Sequence, residues 1–460
     1  MAMILLSSLC AFFASALSAP RRRTTTTTRR GHIVSLSLGA WWSKAASGFS
    51  GTNDVTKTVS GIRRRRLGAS DIEVSELGIG TQRWGSTDFN APDEALCHAM
   101  LSRAVDCGVN LVDTAEQYPI PSSTDRPEGL TEEIIGRWKG RRQDLVIASK
   151  ITGGLNVNKK NIKLDCEGSL KRLKRDYLDV YLLHWPARYT PQSNWGQSLE
   201  YAWTYGRRNK MVASSFEDVV EAMGELIEEG KIRGYGSCND NAVGLMGLCA
   251  AADAGGVPRP VAFQNDYSLL NRRIEENGLS EACCLENVGF MAYNVLAGGM
   301  LTGKYGLDLK DLESPPAAVD DPDEARAAVS ARNPRGRMDT RGWGLTLGRY
   351  RTPAARRAAK QYFALAKKAK IDPAAFALRF AAGRDAVTTS LVGHTSLAQL
   401  DASIDAFRTA AAARGNNPLP VWDIDKVHLQ NRLPLFALDD AGAQFLEEDP
   451  NIGLIGERIP

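Results

Sequence analysis

Four ionisable residues stand at or just beyond the ends of short apolar runs. Asp113 closes VNLVD, Lys150 closes DLVIASK, His184 closes LDVYLLH, and Tyr118 follows Asp113 in LVDTAEQYP. Taken singly, each has a plain explanation: a loop tyrosine packs, a strand-end lysine reaches solvent, and a lone histidine is structural. Brought to one place, they make a proton-transfer site. A phenol with a pKa of about 10 keeps its proton at neutral pH and gives it up reluctantly. An ammonium beside it stabilises the phenolate and lowers that pKa, and a carboxylate holds the ammonium by an ion pair. On this reading Tyr118 delivers the proton, Lys150 activates it, Asp113 anchors Lys150, and His184 orients a substrate oxygen or helps carry the proton. Such a site suits protonation of a carbonyl oxygen as a hydride arrives at its carbon.

The elements that must position these residues show in the rest of the chain. From about residue 75, short apolar runs alternate with longer amphipathic ones. VSELGIG (74–80), VNLVD (109–113), DLVIASK (144–150), LDVYLLH (178–184), IRGYGSC (232–238), VAFQ (261–264), GFMAY (289–293) and VTTSLVG (387–393) are eight candidate strands. The segments between them carry helical periodicity. In FEDVVEAMGELIEEG, Phe216, Val219, Val220, Met223, Leu226 and Ile227 share one face, Ser214 or Ser215 suits the cap, and Gly230 suits the residue past the end. SLAQLDASIDAF supplies the last helix, with Leu397, Leu400, Ile404 and Phe407 on one face.

Strand and helix alternating eight times predict parallel strands joined by crossover helices and closed as a (β/α)8 TIM barrel. A doubly wound open sheet is the alternative, but no G-x-G-x-x-G follows the first strand. RRLGASDIEVS adds a short strand ahead of the barrel, expected in an N-terminal β-hairpin over its bottom. Strands 2, 3 and 4 then end at Asp113, Lys150 and His184, and all strand ends of one sense open on one mouth. Two connections are unusually long, Trp185 to Ser215 and about Gly298 to Thr352. Both follow strands, so both belong at that mouth. Trp185, Tyr189, Trp195, Tyr201, Trp203 and Tyr205 in the first either line a pocket or pack the loop on itself.

An apolar fraction of 43% with 24% charged residues fits a soluble globular chain with a large core. The net charge of +4 arises at the N-terminus, where residues 1–60 carry seven Lys/Arg against the single acid Asp54. The remainder is slightly acidic and gives no case for a nucleic-acid partner. Eight cysteines form no C-x-x-C pair, so neither a disulfide framework nor a zinc site is expected, and a reducing compartment is the simpler reading. MAMILLSSLCAFFASALSAP is too short for a membrane span and reads as a signal h-region with a cleavage site. RRRTTTTTRRG and the acid-poor stretch after it read as a transit segment. In series the two resemble the bipartite presequence of algae with complex plastids. A plain secretory signal with a basic linker is the alternative, as is a cytoplasmic protein. The expected division is a presequence over 1–60, a barrel over 61–435 and a tail over 436–460, with no membrane segment in the mature protein and no signal for a particular oligomeric state.

DTAEQY, the lysine of VIASK, the histidine of YLLHWP, FQNDYSLLNR and AYNVLAGGMLTGKY together closely resemble the aldo-keto reductase superfamily, in particular its bacterial Tas-type branch, over residues 65 to about 430. The resemblance implies a reductase of small carbonyl substrates that uses NADPH, with NADH as the other possible donor. Asp113, Tyr118, Lys150 and His184 would be its catalytic tetrad and Tyr118 its general acid. It further implies that Asn239 and Gln264, with Cys238 beside them, hold the nicotinamide carboxamide and that Tyr293 stacks on the ring. Thr81, Gln82, Asn294, Leu296, Gly298 and Lys304 correspond to further cofactor contacts. Gly393, Thr395 and Gln399 match the adenosine region, where a helix N-terminus offers free N–H groups to a phosphate. The chain departs from the family pattern in having Cys238 for a serine, Asn294 after Ala292-Tyr293, Ala402-Ser403 for a Glu-Asn pair, and His394 for a lysine.

Other chemistries are open to the same residues. A strand-end lysine forms Schiff bases in aldolases. A metal hydrolase needs several His or carboxylates at strand ends, whereas this chain has five His in all, so no metal is expected. Some relatives of such reductases bind nucleotide and sense redox state with little turnover, although a complete tetrad argues for catalysis.

Overall fold

The computed structural model describes residues 53–88, 90–188, 190, 214–305, 336–339, 347, 350, 353–412 and 419–431. Residues 1–52, where a presequence is expected, most of both long connections and the tail lie outside the described residues.

Eight parallel strands close into a barrel. They are β4 (Leu77–Gly80), β5 (Leu111–Asp113), β6 (Val146–Ile151), β7 (Leu178–Leu183), β8 (Ile232–Cys238), β9 (Ala262–Asp266), β10 (Gly289–Tyr293) and β11 (Thr389–Val392). All six residues of β6 and all six of β7 are buried, as strands covered on both faces require. Successive side chains alternate between the two faces. Ile79, Val112, Ile147, Tyr181 and Leu183 pack outward into the shell of helices. Leu111, Val146, Ala148, Val180, Leu182, Ala262, Met291 and Leu391 fill the interior.

Below the barrel, β1 (Val55–Val59), β2 (Ile62–Arg66) and β3 (Glu73–Ser75) form an antiparallel sheet. The expected hairpin therefore has a third strand. Its first strand lies within residues 1–60, so folded structure begins before residue 61. Leu67, Ile72 and Val74 join the interior cluster and close the bottom. VSELGIG, read as one strand, divides at Glu76 into β3 and β4. Buried Glu76 accepts from Arg63 at 2.8 Å and Arg65 at 2.6 Å, while its backbone bonds to Arg63 and to Ser390. One residue thus fastens the lower sheet to the barrel.

The helix Phe216–Glu228 starts with a capping box between Ser215 and Asp218, and Gly230 has the positive φ of the residue past its end. Among the described residues two helices of ten or more residues were not foreseen, Pro373–Gly383 and Val421–Gln430. The first carries a visible start signal, Asp372 capping Ala374 and Ala375 with Pro373 in the first turn. The seven described cysteines are free thiols, and only Cys284 among them is exposed. Among the described residues no group of three or more His, Cys, Asp or Glu is placed to hold a metal, and no helix is long and apolar enough to cross a membrane.

Candidate active site

Side-chain alternation explains why the four residues meet. Asp113 comes two residues after interior Leu111, Lys150 two after Ala148, His184 two after Leu182, and Gln264 two after Ala262. Each is therefore the next inward-facing side chain toward the mouth. Tyr118 reaches the same place from the loop after β5. Lys150 Nζ lies 2.8 Å from Asp113 Oδ2, 2.8 Å from the Thr114 carbonyl oxygen and 3.4 Å from Tyr118 Oη. The Tyr118 and His184 rings meet edge to face at 5.6 Å between centroids. Lys150 is fully buried, and the other three are no more than 6% exposed.

Burial sets the protonation states. It drives the Tyr118 phenol up to about 12, outweighing the downward pull of Lys150. The ammonium was expected to leave this phenol more acidic than usual; the dry surroundings reverse the sign. Burial also favours a neutral Lys150, but Asp113 and Tyr118 overcome it, and the amine is held above its ordinary value. Burial, helped by Lys150, holds His184 well below the usual imidazole range, so its ring is neutral. Its Nδ1 has no hydrogen-bond partner among the described residues. The site therefore offers a protonated phenol, a fixed cation and a neutral imidazole around one point.

Of the residues expected to hold a cofactor, Asn239, Gln264 and Thr81 bond directly to this group, with Cys238 and Tyr293 bonded to them in turn. Asn239, at φ +57°, donates from Nδ2 to the His184 carbonyl oxygen at 2.9 Å and accepts from Tyr293 Oη. Gln264 Nε2 donates to Asp113 Oδ1 at 2.7 Å, and Cys238 Sγ lies 3.4 Å from Gln264 Oε1. Thr81 Oγ1 donates to the Asp113 carbonyl oxygen at 2.8 Å. Asn294 is turned inward, bonded to Asp266, Tyr350 and the Gly298 N–H, so its side chain shapes the loop. Leu296 packs against the outer core. Gly298 and Gly299 have positive φ, and a Cβ on either would collide with Leu347 or Lys304. Gln399 Oε1 accepts from the backbone N of Thr395 at 2.9 Å and from its hydroxyl at 3.2 Å. Gly393 is exposed next to them. His394 is instead buried against Ser403 at 2.9 Å, so both departures at these positions serve packing.

This donor set fits a nicotinamide dinucleotide. A primary carboxamide needs both donors and acceptors, and the Asn239 and Gln264 amides retain some of each. Phosphates need cations and free N–H groups, which the exposed Lys304 and the start of the Leu397–Ala412 helix supply. The family model described as "Aldo/keto reductase family" matches residues 76–413.

The chain belongs to the aldo/keto reductase family. It is 37% identical to Protein tas of Escherichia coli strain K12 over 362 residues, covering 75% of this chain and 93% of that protein. It is 31% identical to an aldo-keto reductase of Babesia bovis over 289 residues, which cover 62% of this chain and 92% of the relative. Aldo-keto reductase YhdN of Bacillus subtilis strain 168 is 29% identical over 243 residues, covering 51% of this chain and 62% of the relative. The aldo/keto reductase family reduces carbonyl compounds with nicotinamide dinucleotides, and this member is accordingly an oxidoreductase.

Two residues at this aldo/keto reductase mouth escaped the sequence reading. Arg337 Nη2 donates to Gln82 Oε1 at 3.0 Å, joining the second long connection to the loop after β4. It stands near enough to Tyr118 and Arg83 for their charges to act on it. No spacing marked it within an arginine-rich segment. The other is Glu116, whose position inside DTAEQY was the available signal.

Glu116 Oε1 accepts the Thr152 N–H, tying the Tyr118 loop to the loop after β6. Burial raises its carboxyl to about 7, against the lowering effect of that hydrogen bond, with Asp165 and Glu132 adding repulsion. A pKa raised in the folded state adds stability that is complete below the unfolded value and is lost as pH rises through about 7. Relative to wild type, Glu116→Gln is expected to gain up to about 3 kcal/mol of unfolding free energy between about pH 5 and about pH 8. Urea denaturation across that range checks it, and a pH-independent difference would show that Glu116 does not titrate there.

Proposed function

We propose that this protein reduces aldehyde or ketone carbonyls to alcohols with NADPH, Tyr118 acting as general acid. The observation that carries the reading is the buried contact of Lys150 with both Asp113 and Tyr118 at the barrel mouth. When bound, the cofactor supplies the hydride that forms the new C–H bond. Tyr118 gives its proton to the carbonyl oxygen as the C=O double bond becomes single. Lys150 Nζ stabilises the phenolate left behind, and Asp113 keeps that ammonium charged and in place. Neutral His184 orients the carbonyl oxygen by hydrogen bonding. Asn239 and Gln264 would hold the nicotinamide carboxamide and Tyr293 its ring, Lys304 and the Gly298 turn the phosphates, and Thr395 and Gln399 the adenosine end.

A Schiff base on Lys150 fits less well, because a nucleophilic amine must be neutral and this one is locked to a carboxylate at 2.8 Å. The test is the purified full chain with NADPH and NADH side by side and a panel of small aromatic aldehydes and dicarbonyls. Turnover with NADPH preferred is expected. Tight nucleotide binding with no turnover would favour a redox-sensing role, and a borohydride-trapped adduct on Lys150 would favour a lyase.

A further inference from the structure

The hydrogen bonds of Gln264 do more than present an amide to a cofactor. Asp113 has two carboxylate oxygens and, among the described residues, two side-chain partners, Lys150 on Oδ2 at 2.8 Å and Gln264 on Oδ1 at 2.7 Å. Gln264 comes from β9 and Asp113 from β5, strands that are not neighbours, so the side chain crosses the barrel interior to make this bond. Its other end meets Cys238, the residue paired with it on β8. A carboxylate only accepts, whereas a thiol donates, if weakly. The two neighbours therefore fix the amide face, with NH2 toward Asp113 and carbonyl toward Cys238. The reverse orientation would set an oxygen against a carboxylate.

We propose that Gln264 is a positioning residue for the catalytic acid: it fixes the plane and spreads the charge of Asp113, thereby setting the hold of Lys150 on Tyr118, while Cys238 fixes the face of the Gln264 amide. The inference rests on the reductase reading given above. All members of the series, Cys238, Gln264, Asp113 and Lys150, are at most 4% exposed, so water does not replace a lost bond. The charged and titratable groups around Tyr118 are Asp113 from β5, Lys150 from β6, His184 after β7, Cys238 from β8 and Arg337 beyond β10. Of these Asp113 and, after it, Cys238 oppose the phenolate. With its Gln264 donor removed, the Asp113 charge is less compensated and the phenol holds its proton more tightly.

The amide still has one N–H and one lone pair after these two bonds. The same side chain thus faces both the carboxamide site and the acid, and seating the nicotinamide is coupled to the proton donor.

The test places a fluorinated tyrosine, intrinsically more acidic than tyrosine, at position 118 of the full chain and follows its titration by fluorine NMR, which needs no turnover. Gln264→Met, similar in length but without a donor, is expected to raise the midpoint by about half a unit to one unit. Cys238→Ala should move it the same way by less, and Cys238→Ser, which keeps a donor, should leave it at the parent value. In unlabelled protein the alkaline limb of kcat should shift in the same order. An unchanged midpoint in folded Gln264→Met overturns the proposal, even if NADPH binds more weakly. Should that variant not fold, equal midpoints in the Cys238→Ala and Cys238→Ser proteins overturn it. Loss of the reductase reading is distinguishable, since a protein without turnover still gives these midpoints.

Discussion

Tyr118→Phe is expected to lower kcat for carbonyl reduction by roughly a thousandfold while NADPH affinity stays within about twofold of wild type. The substitution removes one oxygen and keeps the ring. The edge-to-face contact with His184 and the position of Lys150 5.0 Å from the ring centroid both survive, so the fold should be little affected. Among the described residues no alternative donor stands ready. Burial holds His184 neutral, and a neutral imidazole is a very weak acid. Lys150 lies nearest to Asp113 and Thr114 and is committed to them. Stopped-flow reduction and nucleotide fluorescence titration measure the two quantities. A loss below tenfold would move the donor's role to another group.

Lys150→Met should be the more disruptive change, because it removes the activator and also breaks a buried ion pair. Among the described residues Asp113, itself 4% exposed, would keep only Gln264 as a side-chain partner. Removing one member of such a pair costs about 3–5 kcal/mol, since the remaining charge is left without compensation. Reduction should fall by at least roughly a thousandfold, set by the lost support of the phenolate. The stability deficit should shrink toward low pH. A buried carboxylate stripped of its cation carries a desolvation cost that acid conditions relieve. Asp113→Asn combined with Lys150→Met should restore much of the stability and none of the activity. Urea unfolding at about pH 5 and about pH 8 tests this; a Lys150→Met protein as stable as wild type at the higher pH would mean the pair contributes nothing net.

Much of this was legible in the sequence because a barrel strand has a strict period. Once LVD, VIASK and YLLH are strands of one barrel, Asp113, Lys150 and His184 must point inward near one mouth. The break at Glu76 was less legible, since VSELGIG has the apolar character of one strand; only the pairing of Glu76 with two distant arginines divides it. Gln264 was foreseen as a cofactor contact, but its bond to Asp113 spans the barrel and no local pattern encodes it. The phenol's raised pKa was missed for a different reason. Spacing names the charged neighbours of Tyr118, whereas burial depends on everything packed around it.

The lower sheet bears on how the chain can be trimmed. Asn53 accepts from Arg65 Nη1 through its carbonyl oxygen at 2.6 Å and donates from its side chain to the Asp385 carbonyl oxygen at 2.7 Å, and β1 covers the outer edge of β2. A proteolytic cut at residue 60 would strip that edge strand, leaving unpaired backbone groups that invite another chain to add on. The sheet that floors the barrel thus begins at β1, and any shortened form of the chain that keeps this floor must retain Asn53 and the residues after it.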